Sequence, residues 1–85
     1  MKFRWNDWNQ DHIERHGVSP EEAEKVVRRC KPLYRGDGKY LVIGRGRGGR
    51  WLQVIYVLDD DGTLYVIHAR PLSDSEKHRR RRREK

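Results

Sequence analysis

The stretch from residue 39 to residue 70, KYLVIGRGRGGRWLQVIYVLDDDGTLYVIHAR, decides the fold of this 85-residue chain. It holds three β-favouring runs, Lys39 to Arg45, Trp51 to Leu58 and Thr63 to Arg70. The turn Asp59-Asp60-Asp61-Gly62 predicts a tight hairpin, because Asp-Gly supplies the positive backbone angles that such reversals require. We therefore expect an antiparallel meander of three strands, or of four if the short extended piece Leu33-Tyr34 joins it.

A first helix is predicted before the meander. Asn6 can cap a helix that runs from Asp7 to about Arg15, and Gly17 is the usual residue to end it. Its expected inward-facing anchors are Trp5, Trp8 and Ile13.

A second helix has a stronger start signal. Ser19 stands at the cap, Pro20 at the first helical position and Glu22 three residues after the cap, which is the pattern of a capping box. An apolar stripe at helical spacing follows, made of Ala23, Val26, Val27 and Cys30. We expect this stripe to face the core and Lys31-Pro32 to close the helix.

A third helix should follow the last strand. Pro71 breaks that strand, and Ser73 with Glu76 predicts another capping box, at the start of a strongly basic segment. The fold class is therefore α+β, with two N-terminal helices, a three- to four-stranded antiparallel meander and a basic C-terminal helix, the helices packing on one sheet face. Residues 1–78 are expected to form one domain, with 79–85 as the basic end of the last helix or a disordered tail.

The charge of the chain is concentrated at one end. The formal net charge is +7, and residues 77–85 carry seven basic side chains against Glu84, which supplies +6 of it. Such a segment binds a polyanion electrostatically, with an affinity that falls as salt rises. The alternative is a solvated tail that only aids solubility.

Composition also limits the compartment. No apolar run approaches the roughly 20 residues that span a bilayer, so no membrane partner is expected and the cytoplasm is the default location. Cys30 is the only cysteine, which excludes an internal disulfide and fits a reducing compartment.

Several short motifs occur together in a recognisable order. They are Phe3-x-Trp5, His16-Gly17-Val18-Ser19 with Glu21-Glu22-Ala23, Ile43-Gly44-Arg45, Val54 with Tyr56, and Ala69-Arg70 before a basic helix. In this arrangement the chain resembles the BrnT toxin family, small ribonucleases of bacterial type II toxin–antitoxin modules with a RelE-like fold. The resemblance runs from Phe3 to about Arg83.

The resemblance implies an endoribonuclease toxin that cuts RNA without a metal or other cofactor and inhibits growth. It also implies a cognate antitoxin, a BrnA-like DNA-binding protein, and an RNA target that is free or ribosome-associated. The arginine closing the last strand carries over to Arg70, and a basic residue after Ile-Gly carries over to Arg45. The chain departs from the family pattern at His12, where asparagine is common, and in the final helix, where an aromatic residue is replaced by arginine.

Three residues are the predicted catalytic set. Side chains alternate along a strand, so His68 and Arg70 should project from one face of the last strand. Arg70 is the expected phosphate clamp, because its planar fork can donate two parallel hydrogen bonds, and His68 is the expected general base or acid. Arg45 completes the set. The alternatives are a His68 hydrogen-bonded beneath the terminal helix and an Arg70 paired with Asp74 or Glu76.

Other basic residues are predicted to bind RNA. The Gly/Arg loop between two strands contributes Arg47 and Arg50, and the last helix contributes Lys77, Arg79, Arg80 and Arg81. The loop's alternative role is a flexible turn whose arginines are merely exposed. His12 and His16 lie one helical turn apart and could share a metal, but the zincin pattern requires glutamate where Ile13 stands. No metal site is predicted there, and capping and packing of the first helix is the preferred role.

Two other classes of function stay open. The chain could be a non-catalytic RNA- or ribosome-binding module in which the basic end does the binding. It could also be a decayed toxin that acts only as an antitoxin-binding subunit.

Overall fold

The computed structural model describes the backbone of residues 1–83 and the side chains of residues 1–80. In this part of the chain the elements are β1 (Phe3–Arg4), α1 (Asp7–Glu14), α2 (Pro20–Arg29), β2 (Leu33–Gly36), β3 (Lys39–Arg45), a short 3₁₀ turn (Arg47–Gly49), β4 (Trp51–Leu58), β5 (Leu64–Pro71) and α3 (Asp74–Arg83). This order confirms the predicted α+β class, with two helices before the meander and a basic helix after it. The last two residues of the predicted 79–85 segment lie outside the described residues.

The described strands form one mixed sheet in the order β1-β5-β4-β3-β2. Strands β2 to β5 pair antiparallel with their neighbours in sequence, which confirms the meander. The prediction of an antiparallel-only sheet is wrong, because β1 pairs parallel to β5 through Phe3 with Leu64 and Arg4 with Tyr65. A two-residue strand has no detectable sequence period, and its partner lies at the other end of the chain.

The core lies between the sheet and the two N-terminal helices. Its fully buried side chains include Ile13, Val26, Val42, Val54 and Val66. The helix α2 approaches β3 closely at Gly44, where a Cβ atom would overlap the Cys30 sulfur and crowd Val26.

The third helix covers the opposite sheet face, so the prediction of all helices on one face is wrong. Leu41, Ile43 and Gln53 alternate along their strands with the core residues Val42, Leu52 and Val54, and they line a shallow pocket with Arg79 and Arg80 of α3. Alternation along the strands therefore assigns α3 to the side away from α1 and α2. No helix among the described residues combines the length and the apolar character needed to cross a bilayer.

The predicted start of α1 is confirmed by its hydrogen bonds. Asn6 Oδ1 accepts from the Asn9 backbone N–H at 3.1 Å, and Asn9 Oδ1 accepts from the Asn6 N–H at 2.8 Å. Among the expected anchors, Ile13 is fully buried and Trp5 is half-buried, but Trp8 is 58% exposed, so its assignment to the core is wrong. Trp8 instead joins a surface row of rings described below.

Candidate active site

A β-bulge shapes the part of β5 that carries the predicted catalytic residues. Tyr56 pairs with Val66 and Ile55 pairs with His68, which leaves Ile67 as an extra residue on β5. Val66 and Ala69 are both fully buried as a result, although strict alternation would put them on opposite faces. Beyond the bulge, His68 lies opposite Ile55 and Arg70 opposite Gln53, so the predicted common face is confirmed for the backbone register. The two side chains diverge, however, because His68 contacts His12 of α1 and Arg70 contacts Glu76 of α3.

His68 lies beyond the end of β1, where α1 packs against β5. The strand β1 pairs only with Leu64 and Tyr65 of β5, so β1 ends before it reaches His68. The His12 Nε2 atom lies 3.3 Å from His68 Nδ1, and the His16 ring centroid lies 5.4 Å from that of His68. We call His12, His16 and His68 the histidine cluster; one ring nitrogen from each lies within 4.8 Å of the others.

The environment of His68 favours its neutral form. Burial lowers the pKa of His68 first, and the nearby imidazoles of His12 and His16 and the Arg70 guanidinium lower it further. A neutral imidazole at physiological pH can accept a proton, which is what a general base must do. The position therefore suits the predicted acid–base role, and the ring contacts α1 rather than lying hydrogen-bonded beneath the terminal helix.

A row of aromatic rings continues from the histidine cluster, with Trp8 exposed and His12 and Tyr65 half-buried. Trp8 stacks on His12 with ring centroids 5.3 Å apart and planes within 4°, and it also stacks on Tyr65 at 6.4 Å. The Arg4 guanidinium lies 3.9 Å above the Tyr65 ring. We call Tyr65, Trp8 and His12 the aromatic row; bases of a single strand stack on such surfaces irrespective of sequence.

Arg70 makes the ion pair that was the alternative to its phosphate role. Its Nη1 and Nη2 atoms donate to the two carboxylate oxygens of Glu76 at 2.7 and 2.8 Å, and Nη1 also donates to the Pro71 carbonyl at 3.1 Å. Glu76 further accepts from the Ser73 N–H at 2.8 Å, so the predicted capping box is confirmed. The pair raises the pKa of Arg70 and lowers that of Glu76. The Arg70 side chain keeps 31% exposure, so solvent still reaches it.

Arg45 lies apart from Arg70. It pairs with Trp51 whereas Arg70 pairs with Gln53, so two strand spacings and two residues separate them, about 12 Å between Cα atoms. The guanidinium groups of Arg45 and Arg80 lie 4.7 and 4.6 Å from the Trp51 ring. The predicted catalytic set is therefore not brought together in one cluster, and Arg45 belongs to a separate cationic group with Trp51.

The Gly/Arg loop is fixed to α2 rather than flexible. The carboxylate of Glu22, whose side chain is only 4% exposed, accepts from the Arg47 backbone N–H at 2.7 Å and from Arg50 Nε and Nη2 at 3.2 and 2.8 Å. These donors lower the pKa of Glu22, and Arg50 also donates to the Gly17 carbonyl. The predicted cap is confirmed, because Ser19 Oγ accepts from the Glu22 backbone N–H. The Glu22 carboxylate, however, accepts hydrogen bonds from the loop rather than from the Ser19 N–H. Arg50 is thus held by a structural contact, while the Arg47 residue is exposed.

The remaining predicted RNA ligands lie on α3. Lys77 Nζ is 3.7 Å from Asp74 Oδ1, Arg79 is exposed and Arg80 is half-buried. The backbone of Arg81 is helical, and its side chain lies outside the described residues.

Sequence reasoning missed the convergence of α1 with β5. The spacing of Trp8, His12 and His16, four residues apart at each step, places them on one helix face and was the available signal. That this face meets His68 depends on long-range packing, which no local pattern reports.

The order of elements and the five-stranded sheet give a fold that this chain shares with a solved structure. One solved structure with a similar fold is the 1.1 Å crystal structure of the Brucella abortus ribonuclease toxin BrnT. It matches with a TM-score of 0.70 and 24% sequence identity over 87% of this chain and 99% of that chain. The resemblance to BrnT is thereby confirmed at the level of the fold. No protein-family model matches the sequence, and no curated protein matches it.

Proposed function

We propose that this chain is a BrnT-like toxin, an endoribonuclease that cleaves RNA with its own side chains and without a metal. The observation that carries the proposal is the 3.3 Å contact between His12 and His68 on the surface of a fold shared with a ribonuclease toxin. A titratable pair of this kind, beside exposed rings and cations, suits phosphodiester chemistry. The fold likeness supports the substrate class, and the ring geometry supports the mechanism.

Metal-independent cleavage uses the 2′-hydroxyl of RNA as the nucleophile. A base removes its proton, the oxygen attacks the adjacent phosphorus, and an acid protonates the departing 5′-oxygen, leaving a 2′,3′-cyclic phosphate and a 5′-hydroxyl. In the proposal His68 is the base, and His12 orients its ring through the Nε2–Nδ1 contact. His16, the exposed ring of the cluster, protonates the leaving oxygen.

The neighbouring groups hold the RNA. The aromatic row stacks bases next to the cleaved bond, since Trp8 is exposed along that side. Arg70 binds the phosphate in this proposal. Since both of its Nη atoms donate to Glu76 in the absence of RNA, the phosphate must displace the Glu76 carboxylate. The outer cations bind the flanking backbone, namely Arg45, Arg47, Lys77, Arg79, Arg80 and Arg81.

The proposal includes regulation by a partner. A cognate BrnA-like DNA-binding antitoxin neutralises the toxin, and the free toxin arrests growth by cutting RNA in the cytoplasm, alone or on the ribosome. This part depends on the family resemblance.

A non-catalytic RNA-binding module is the second candidate, favoured by one observation. Arg45 and Arg80 both contact the half-buried Trp51 ring on the face of α3, on the opposite side of the sheet from the core. Cations and an aromatic ring in this arrangement bind a nucleic-acid strand without cutting it. Tight RNA binding with no cleavage at any protein concentration would favour this candidate.

The test of the proposed activity is incubation of the purified full chain with a defined RNA in the presence and absence of a chelator. We expect equal cleavage in both, products with 2′,3′-cyclic phosphate ends, and resistance of the same strand carrying a 2′-deoxy sugar at the cleaved position. Cleavage abolished by the chelator, or cleavage of the 2′-deoxy strand at the same bond, would contradict the mechanism.

Growth assays separate the toxin from the decayed-toxin alternative. Expression of the chain alone should arrest bacterial growth, and Arg70→Ala and Arg70→Lys should both relieve the arrest if the planar fork binds phosphate. Normal growth with the unaltered, folded protein would favour a subunit that only binds an antitoxin.

A further inference from the structure

From the histidine cluster we infer a second property that goes beyond the proposed nuclease activity: His12, His16 and His68 form a binding site for a divalent transition-metal ion of the zinc type. All three side chains carry the ligand atom that zinc, nickel and copper prefer, the imidazole nitrogen. They come from two elements of the fold, His12 and His16 from the end of α1 and the turn after it, and His68 from β5.

The spacing of two ligands already matches the metal. In tetrahedral zinc sites the Zn–N distance is about 2.0–2.1 Å, so two nitrogens bound to one ion lie about 3.3–3.4 Å apart. His12 Nε2 and His68 Nδ1 are 3.3 Å apart. The separation of these two nitrogens therefore already suits a zinc ion, which replaces the hydrogen bond between the rings once each ring turns its lone pair toward the ion.

The third ligand requires only a small adjustment. One nitrogen from each ring lies within 4.8 Å of the other two. His16 is exposed and stands in the turn between α1 and Gly17, where the backbone has left the helix. Rotation of its side chain toward the other two rings completes a set of three nitrogen ligands and leaves the fourth tetrahedral position for water.

The surroundings of the cluster are compatible with a cation. Arg70 lies close enough to influence His68, but its charge is compensated by the bidentate Glu76 pair. The Trp8 ring packs parallel to His12 and restrains the orientation of its imidazole. A ligand whose orientation is already restrained loses less conformational freedom on binding the ion, which favours binding.

Metal occupancy and the proposed acid–base role exclude each other, because a bound ion takes the lone pairs with which the rings would accept protons. The site is therefore expected to act as a block on the nuclease surface rather than as its cofactor. The binding test needs no RNA, so failure of the metal site and failure of the nuclease proposal are distinguishable.

The experiment titrates Zn²⁺ into the untagged full chain in competition with a chromophoric chelator. We expect one ion per chain, and His16→Asn should weaken binding by at least about tenfold, since a direct ligand contributes no less than an orienting group. His16 is exposed, so this variant should keep the unaltered melting temperature. His78→Asn is the matched control, because His78 lies on α3 outside the cluster and its loss should leave the affinity unchanged.

Imidazole proton resonances give an independent readout on the unaltered chain. One equivalent of Zn²⁺ should shift the signals of His12, His16 and His68 and leave His78 in place, and the d–d absorption bands of bound Co²⁺ should report tetrahedral nitrogen ligation. The inference is overturned by absence of competition with the chelator, by equal affinity of His16→Asn and the unaltered chain, or by a matching loss in His78→Asn. Abolition of binding by Cys30→Ser would overturn it too, by assigning the metal to the thiol.

Discussion

Replacing Glu22 with glutamine tests whether the Gly/Arg loop is held by a buried carboxylate. The change keeps the side-chain shape but removes the charge and turns one acceptor oxygen into a donor that faces the Arg47 N–H or Arg50. Hydrogen bonds to charged groups contribute about 1.5–3 kcal/mol each, but Arg50 is 38% exposed, so its share must be discounted for solvent screening. We expect a loss of about 2 kcal/mol, which in a domain of this size lowers the melting temperature by about 8–16 °C.

The assay is thermal unfolding followed by circular dichroism, with Glu21→Gln as the matched control. This control removes the same charge one residue earlier from an exposed position, so it should move the melting temperature little. Because folding lowers the pKa of Glu22, its stabilisation is present above its unfolded pKa of about 4.3 and is lost as the pH falls through the folded value. The difference between Glu22→Gln and the unaltered chain should therefore shrink in acid. Equal melting temperatures for Glu22→Gln and Glu21→Gln at pH 7 would refute this account of the loop.

Three further outcomes are expected. Glu76→Gln should release α3 from β5 and raise the rate at which a protease cuts the C-terminal segment. Asp74→Asn should not raise this rate, because the contact of Asp74 with Lys77 is long and exposed. Identical digestion of the two variants would contradict the role of the Arg70 pair. Gly44→Ala should lower the free energy of unfolding by about 1–3 kcal/mol, because the added Cβ overlaps Cys30. Adding Cys30→Ala to this variant should recover part of that loss in denaturant titrations. No recovery would show that the overlap with Cys30 is not the cause of the loss. Acid should remove the stabilisation from Glu76 as the pH falls through its lowered folded pKa, so the effect of Glu76→Gln on melting should be largest at neutral pH and vanish in strong acid.

Local signals in the sequence predicted most of the elements. The strand bounds Lys39–Arg45 and Trp51–Leu58 are as expected, because each run is β-favouring and is bounded by a turn or a Gly/Arg loop. The caps at Asn6, Ser19 and Ser73 are also confirmed, since a cap is a contact within a few residues.

Long-range contacts could not be predicted from these local signals. The strand β1 is two residues long and depends on β5 for its existence, and the face chosen by α3 depends on which side of the sheet is already covered. Glu22 satisfied the local pattern of a capping box, yet its carboxylate found stronger donors in Arg47 and Arg50 across the fold.

The candidate site shows the same limit. Arg70 and His68 were identified from the end of the last strand, and the register of β5 agrees with their predicted common face, but His68 contacts α1 and Arg70 contacts α3. The meeting of His12 and His16 with His68 depends on how α1 packs beside β5, and the exposure of Trp8 follows from the same packing. A pattern of period 3.6 reports which residues share a helix face but not what that face contacts.

The most direct measurement is the single-turnover rate of RNA cleavage, in chelator, by His68→Gln compared with His78→Gln, with both variants shown to melt like the unaltered chain. The account predicts a loss of about 10²–10⁴-fold for His68→Gln, the usual contribution of a positioned acid–base group, and an unchanged rate for His78→Gln. Cleavage by His68→Gln at the rate of the unaltered chain would contradict the assignment of the chemistry to the histidine cluster.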